Sequence, residues 1–200
     1  ARPQLSPGSA TAQDGDEEIE SDVEAKSAYR TVTARLSYLA SDRPELLCVT
    51  KECGKASTCS SWADLTHSKR IGRFLLKEPR RVWNFPWQGE IYVLEGFSDA
   101  DAGGCAKTRR STSGGVLRLG GHTLCAWSSS QKVVALNSCE SEYYSLVRCA
   151  IEAIGLRETF KEMQLAYSIR QWADATAARG LALRAGGGQI KNMQAKHDFP

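Results

Sequence analysis

The chain has 200 residues, 42 % of them hydrophobic, enough for one good domain or one domain with a smaller companion. No apolar stretch is long enough to span a membrane, and the polar, acidic first twenty residues show no secretory signal pattern. The net charge of +3 is unevenly spread: residues 1–30 hold three basic and seven acidic side chains, a net −4, which leaves +7 on the rest and suits a polyanionic partner.

Seven cysteines, odd in number and scattered, argue against a secreted disulfide framework. They point to a reducing, intracellular compartment, cytoplasmic or nuclear. Cys48, Cys53, Cys59 and His67 contain no C-x-x-C pair, so ordinary thiols are a better reading than structural zinc.

Residues 1–24, rich in Pro, Ser, Gly and acid, read as an acidic disordered linker. Residues 25–90 read as a small helical region plus a connector. Tyr29, Val32, Leu36, Leu39 and Ala40 recur at helical spacing, and Asp42-Arg43-Pro44 breaks that helix. Leu46, Val49 and Cys53 predict a second helix, stopped near Gly54. Ser61 and Asp64 have the spacing of a capping box for a third, to Leu76. The connector "EPRRVWNFPWQGE" offers aromatics for packing.

From residue 91 the texture changes. "IYVLEGFSD" reads as a buried strand, and "GGVLRLGGHTLCAWSSS" as two strands joined at Gly120-Gly121. A long helix is predicted over about Ser138–Met163, capped by Asn137 or Ser138. Its apolar arc takes in Tyr143, Leu146, Val147, Ala150 and Ile154, with Ser145, Arg148 and Glu152 opposite. "SIRQWAD" reads as a fourth strand. Ala175–Arg184 reads as a short helix closed by Gly186 to Gly188. Three antiparallel strands, a crossover helix and a further strand predict an α/β fold with a mixed sheet.

Asp99 lies where the first of these strands runs out, and Asp174 where the fourth does. If those strands pair in parallel, both carboxylates emerge at one edge, and a glutamate from the start of the long helix can join them. Close carboxylates repel unless a cation lies between them, and hard oxygen ligands suit Mg²⁺ or Mn²⁺. Taken singly, Asp99 reads as a turn residue before glycine, and Asp174 as a helix cap. Periodicity does not choose between Glu140 and Glu142, which flank the apolar arc almost symmetrically.

"FSDADAGGCAKTRRSTSGGVLRLGGHTLCAWSSSQKVVALNSCESEYYSLVRCAIEAIGLRE" with "WADATAARGLALR" resembles the ribonuclease H domain of copia-type retrotransposon Pol polyproteins. "YRTVTARLSYLASDRPEL" and "KRIGRFLL" resemble the end of the reverse transcriptase that precedes it. The resemblance covers roughly residues 22–196. It implies a ribonuclease H-like domain over 91–200, preceded over 25–90 by the reverse transcriptase end. It also implies Asp99, Glu142 and Asp174 as catalytic and metal-binding residues, and Glu140 as a helix-start residue. The implied reaction is Mg²⁺- or Mn²⁺-dependent hydrolysis of the RNA strand in an RNA–DNA hybrid. The implied partners are that hybrid and the reverse transcriptase of the same polyprotein, with no membrane. Lys107, Arg109, Arg110, Arg179 and Arg184, from two runs poor in acid, are the expected phosphate contacts.

The chain departs from the family pattern in places. Ala102 stands where the family has Trp, and Asn192 where it has His. The family's fourth carboxylate lies beyond Pro200, so a domain incomplete at its C-terminus and weak in cleavage is expected. A catalytically inactive remnant that binds nucleic acid or only folds is the alternative. His67, His122, Trp127 and Trp172 read as structural, and Cys139 lacks the basic partner a nucleophile needs.

Overall fold

The computed structural model describes residues 23–174 except 59 and 106, and residue 180. The acidic linker up to residue 22, the short helix expected from Ala175, the glycines 186–188 and the expected phosphate contacts Arg179 and Arg184 lie outside the described residues. The chain divides into two compact units between Trp83 and Asn84.

The first unit is three helices around one core. The helix α1 spans Val23–Leu39, α2 spans Leu47–Lys55 after a 3-10 turn at Pro44–Leu46, and α3 spans Trp62–Lys77. Tyr29, Leu36, Leu46, Val49, Ile71 and Phe74 bury together. The Tyr29 hydroxyl donates to the Cys53 carbonyl at 2.9 Å, fastening α1 to α2. Burial pushes that phenol well above the ordinary tyrosine range. Both bonds of the capping box form: Asp64 N–H donates to Ser61 Oγ, and Ser61 N–H to Asp64 Oδ2. Arg43, buried at the helix break, donates to Glu45 and to the Glu78 carbonyl.

The second unit opens with a segment clasped to a hairpin. Gln88 donates to the Leu119 carbonyl at 3.0 Å and accepts from Gly121 N–H at 2.9 Å. The connector aromatics do not all pack as expected: Trp87 is 97 % exposed. The strands are β1 (Val93–Asp101), β2 (Thr112–Leu119), β3 (His122–Ser130) and β4 (Ser168–Ala173), with helix α4 (Ser138–Glu162) before β4. At the β2–β3 turn Gly120 takes a φ of +56°, which glycine adopts without strain.

The sheet order is β3-β2-β1-β4. The strand β2 pairs antiparallel with both neighbours, and β4 pairs parallel with β1. This is the mixed sheet of a ribonuclease H-like fold. Among the described residues, no helix is long and apolar enough to cross a membrane.

Helix α4 corrects the sequence reading. Of the expected apolar arc only Tyr143 is buried; Leu146, Val147, Ala150 and Ile154 are partly exposed. The buried face is instead Ser141, Glu142, Ser145, Cys149 and Ala153. Small residues one turn apart let the helix approach the strands closely. A Cβ on Gly96 would stand 2.7 Å from Cys149 Sγ, so that contact requires glycine. Ser145, expected opposite the core, is wholly buried. Trp172, expected in the core, is half exposed and stacks on Phe97. Phe97 follows Gly96, so this pair lies on the sheet face away from α4.

Candidate metal centre

Parallel pairing of β1 with β4 ends at Ser98 opposite Ala173. The next residue on each strand is an aspartate, Asp99 and Asp174. The strand β1 itself runs two residues beyond Asp99, because β2 still pairs with it as far as Asp101 opposite Thr112. The third carboxylate comes from α4. Asn137 caps this helix, its side chain accepting from Glu140 N–H at 2.8 Å. Glu142 follows five residues after the cap. One carboxylate oxygen from each of Asp99, Glu142 and Asp174 lies within 4.8 Å of the others.

Ser145 fixes the depth of α4 at this point. Its hydroxyl donates to the Asp99 carbonyl at 2.6 Å and reaches the Gly114 carbonyl at 3.2 Å. The helix that carries Glu142 is thereby pinned to the backbone of Asp99. Sequence reasoning missed Ser145. The signal for it was the small-residue stripe of Ser141, Ser145, Cys149 and Ala153, four residues apart.

The electrostatics of the cluster are unfavourable without a counter-charge. Burial raises the Glu142 carboxyl above its ordinary range, and Asp99 and then Asp174 push the same way, against a hydrogen bond from the Ala100 backbone. Glu142 Oε2 is shielded from water and has no hydrogen-bond partner. An orphaned buried acceptor costs about 1–3 kcal/mol. Three carboxylates, one of them with a bare buried oxygen, fit a divalent cation.

Glu140 has a different task. It accepts from Leu136 N–H at 2.7 Å and from the Tyr144 hydroxyl at 2.9 Å, which commits it to the start of α4. Lys107, Arg109 and Arg110 are exposed on the β1–β2 loop. Arg109 sits in the left-handed region at φ 56°, its N–H donating to the Cys105 carbonyl at 2.7 Å. It lines a recess of about 210 Å³ with Ser111, Asn137 and Ser138. Cys48 and Cys53 belong to no metal-binding group among the described residues, and Cys59 lies outside them.

No family profile and no solved structure matches the chain. The retrovirus-related Pol polyprotein from transposon RE1 of Arabidopsis thaliana is 32 % identical over 124 residues, 62 % of this chain and 8 % of the polyprotein. The corresponding polyprotein from transposon TNT 1-94 of Nicotiana tabacum is 33 % identical over 77 residues, 38 % of this chain and 6 % of its own length. Secreted RxLR effector protein 161 of Plasmopara viticola is 38 % identical over 88 residues, 44 % of this chain and 61 % of the effector. The chain therefore spans less than a tenth of the Pol polyproteins it matches and about three fifths of the effector. By these matches the chain is similar, over up to 62 % of its length, to copia-type, retrovirus-related Pol polyproteins of plant transposons.

Proposed function

We propose that this retrotransposon-derived chain carries a ribonuclease H-type centre that hydrolyses the RNA strand of an RNA–DNA hybrid during reverse transcription. Residues 91–200 would form that domain, and residues 25–90 the end of the reverse transcriptase with which it works. The single observation that carries the reading is the convergence of one carboxylate oxygen from each of Asp99, Glu142 and Asp174 within 4.8 Å of one another. Among the described residues, Cys48, Cys53, Cys125, Cys139 and Cys149 are free thiols, which suits a reducing compartment.

Asp99, Glu142 and Asp174 would hold Mg²⁺ or Mn²⁺, supplying Lewis acidity to the scissile phosphate and its attacking water. The chain's own part is positioning. The two strand ends set Asp99 beside Asp174, Ser145 holds α4 against Asp99, and Glu142 brings a buried carboxyl to the same point. Lys107, Arg109 and Arg110 would contact backbone phosphates, which orient a duplex without reading its sequence.

The test is cleavage of a labelled RNA strand in a hybrid, with Mg²⁺, with Mn²⁺ and in EDTA. Asp99→Asn, Glu142→Gln and Asp174→Asn should each lower the rate at least about 10³-fold, a loss of about 4 kcal/mol of transition-state stabilisation. Undiminished cleavage by Asp99→Asn would overturn the assignment of the centre. A parent chain that binds Mg²⁺ by calorimetry but cleaves nothing would overturn the hydrolysis while leaving the centre.

A further inference from the structure

Glu142 is bracketed by two hydrogen bonds that reach α4 from the sheet side. After it, Ser145 bonds the carbonyls of Asp99 and Gly114. Before it, the Ser141 carbonyl accepts from Nε2 of Gln131 at 2.8 Å. Ser141 C=O and Glu142 N–H belong to one rigid peptide plane, so a grip on the first fixes the second. A carbonyl oxygen has two lone pairs, which lets this one serve Gln131 as well as its own helix.

Gln131 is itself firmly tied. It follows β3 directly and is only 7 % exposed. Its backbone N–H donates to the Ser111 carbonyl at 2.8 Å, and Nε2 donates a second time to Ser113 Oγ at 3.0 Å. Ser111 Oγ in turn accepts from Gly103 N–H at 3.0 Å, which brings the turn after β1 into the same frame. Lys132, Val133, Val134 and Leu136 are exposed, so the Gln131 amide reaches α4 across a loop that is not packed down. Both Nε2 hydrogens are used, while Oε1 is shielded from water without a hydrogen-bond partner. A bare buried acceptor costs stability, and an apolar side chain of the same shape avoids that cost. The amide is therefore explained by what its nitrogen holds, not by packing.

We infer that Gln131 is a positioning residue of the metal centre: by holding the Ser141 carbonyl it aims the backbone of α4 so that the Glu142 carboxyl meets Asp99 and Asp174. It acts through the peptide ahead of Glu142 and supplies no ligand itself. This role rests on the reading of the three acids as a cation centre and deepens it. Groups that orient the ligands of a metal typically account for about 10–100-fold in metal affinity.

Calorimetry of Mg²⁺ binding to the full chain, with the electron paramagnetic resonance of bound Mn²⁺, tests this without recourse to cleavage. Gln131→Met keeps the length of the side chain and removes its donors. It should weaken Mg²⁺ binding about 10–100-fold and alter the Mn²⁺ spectrum, which reports the symmetry of the ligand shell. Phe160→Ala removes the ring contact with Tyr167 at the far end of α4 and controls for lost stability. It should lower the melting temperature in EDTA yet leave both metal readings at the parent's values. If Gln131→Met does not fold, Ser113→Ala decides, since it takes away one of the two Nε2 partners and should weaken binding by a smaller factor. Parent-like Mg²⁺ affinity in the deciding variant, or an equal loss in Phe160→Ala, would overturn the role of Gln131 while leaving the centre. A parent that binds neither ion would overturn the centre, and the role of Gln131 with it.

Discussion

Glu142 is asked to be buried and charged at once. Its raised carboxyl pKa, caused first by burial and then by Asp99, means that the folded chain holds this proton more tightly than the unfolded chain. The stability linked to it is therefore fully present below the ordinary glutamate value of 4.5 and is lost as pH rises through the raised one. In EDTA, Glu142→Gln should unfold at a higher temperature than the parent near pH 7, and the gap should close as pH falls toward 4.5. With Mg²⁺ at a hundred times its Kd the order should reverse, since binding adds about 2.7 kcal/mol to the parent alone. Thermal melts of both chains at several pH values check this; a glutamine variant no more stable in EDTA at pH 7 would contradict it. The aspartates were legible in the sequence as acids placed where apolar strands stop. The choice of Glu142 over Glu140 was not, because both flank one arc of α4. Their roles separate only through what each touches: Glu140 the helix start, and Glu142 the strand end.

At the scale of elements, the approach of α4 to β1 decides whether the three acids meet. That approach was misread from the sequence because periodicity follows large apolar residues, whereas the contact here is made by Ser145, Cys149 and Ala153 against Gly96. Local chemistry was legible: the Ser61–Asp64 box and the Asn137 cap both form. Strand pairing was legible as well, since the order of elements leaves few ways to build the sheet. Gly96→Ala should cost about 1–3 kcal/mol, as overpacking does. Cys149→Ala in the same chain should recover part of that loss, with a coupling of at least about 0.5 kcal/mol in a double-mutant cycle by urea unfolding. Strict additivity would mean that the helix yields elsewhere. The same Gly96→Ala chain should bind Mg²⁺ more weakly by calorimetry, because Glu142 moves with the helix.

For the whole molecule, the relevant fact is that each unit has its own buried cluster. Among the described residues, the second cluster has four fully buried members: Leu94, Leu117, Cys149 and Ala153. A ligand of Asp99, Glu142 and Asp174 would add a tie between two strand ends and α4 to what this cluster supplies. Amide exchange in β1, β4 and α4 should therefore slow on adding Mg²⁺ by more than exchange in α1, α2 and α3. Mass spectrometry of peptides from the two units measures the contrast, and equal protection of both would refute it. The identity of this unit as a mixed sheet could be read from the sequence. The exposure of Trp172 could not, because a tryptophan inside a strand looks like core in a string of letters.

Asp99 and Asp174 stand side by side in space but 75 positions apart along the chain. Joining them requires closing a loop that includes two hairpin strands and the whole of α4. Such distant parallel pairings form late, because the entropy of closure is spent before any contact repays it. The hairpins of β1, β2 and β3 should therefore form before β4 docks, in a chain that has as yet nowhere for a cation to sit. Mg²⁺ should then leave the refolding rate nearly constant and act as a brake on unfolding, by as much as about a hundredfold at a hundred times Kd. Stopped-flow refolding and unfolding with and without Mg²⁺ separate the two arms. If refolding accelerates instead, the acids meet early, and the cation helps to fold the protein rather than to keep it folded.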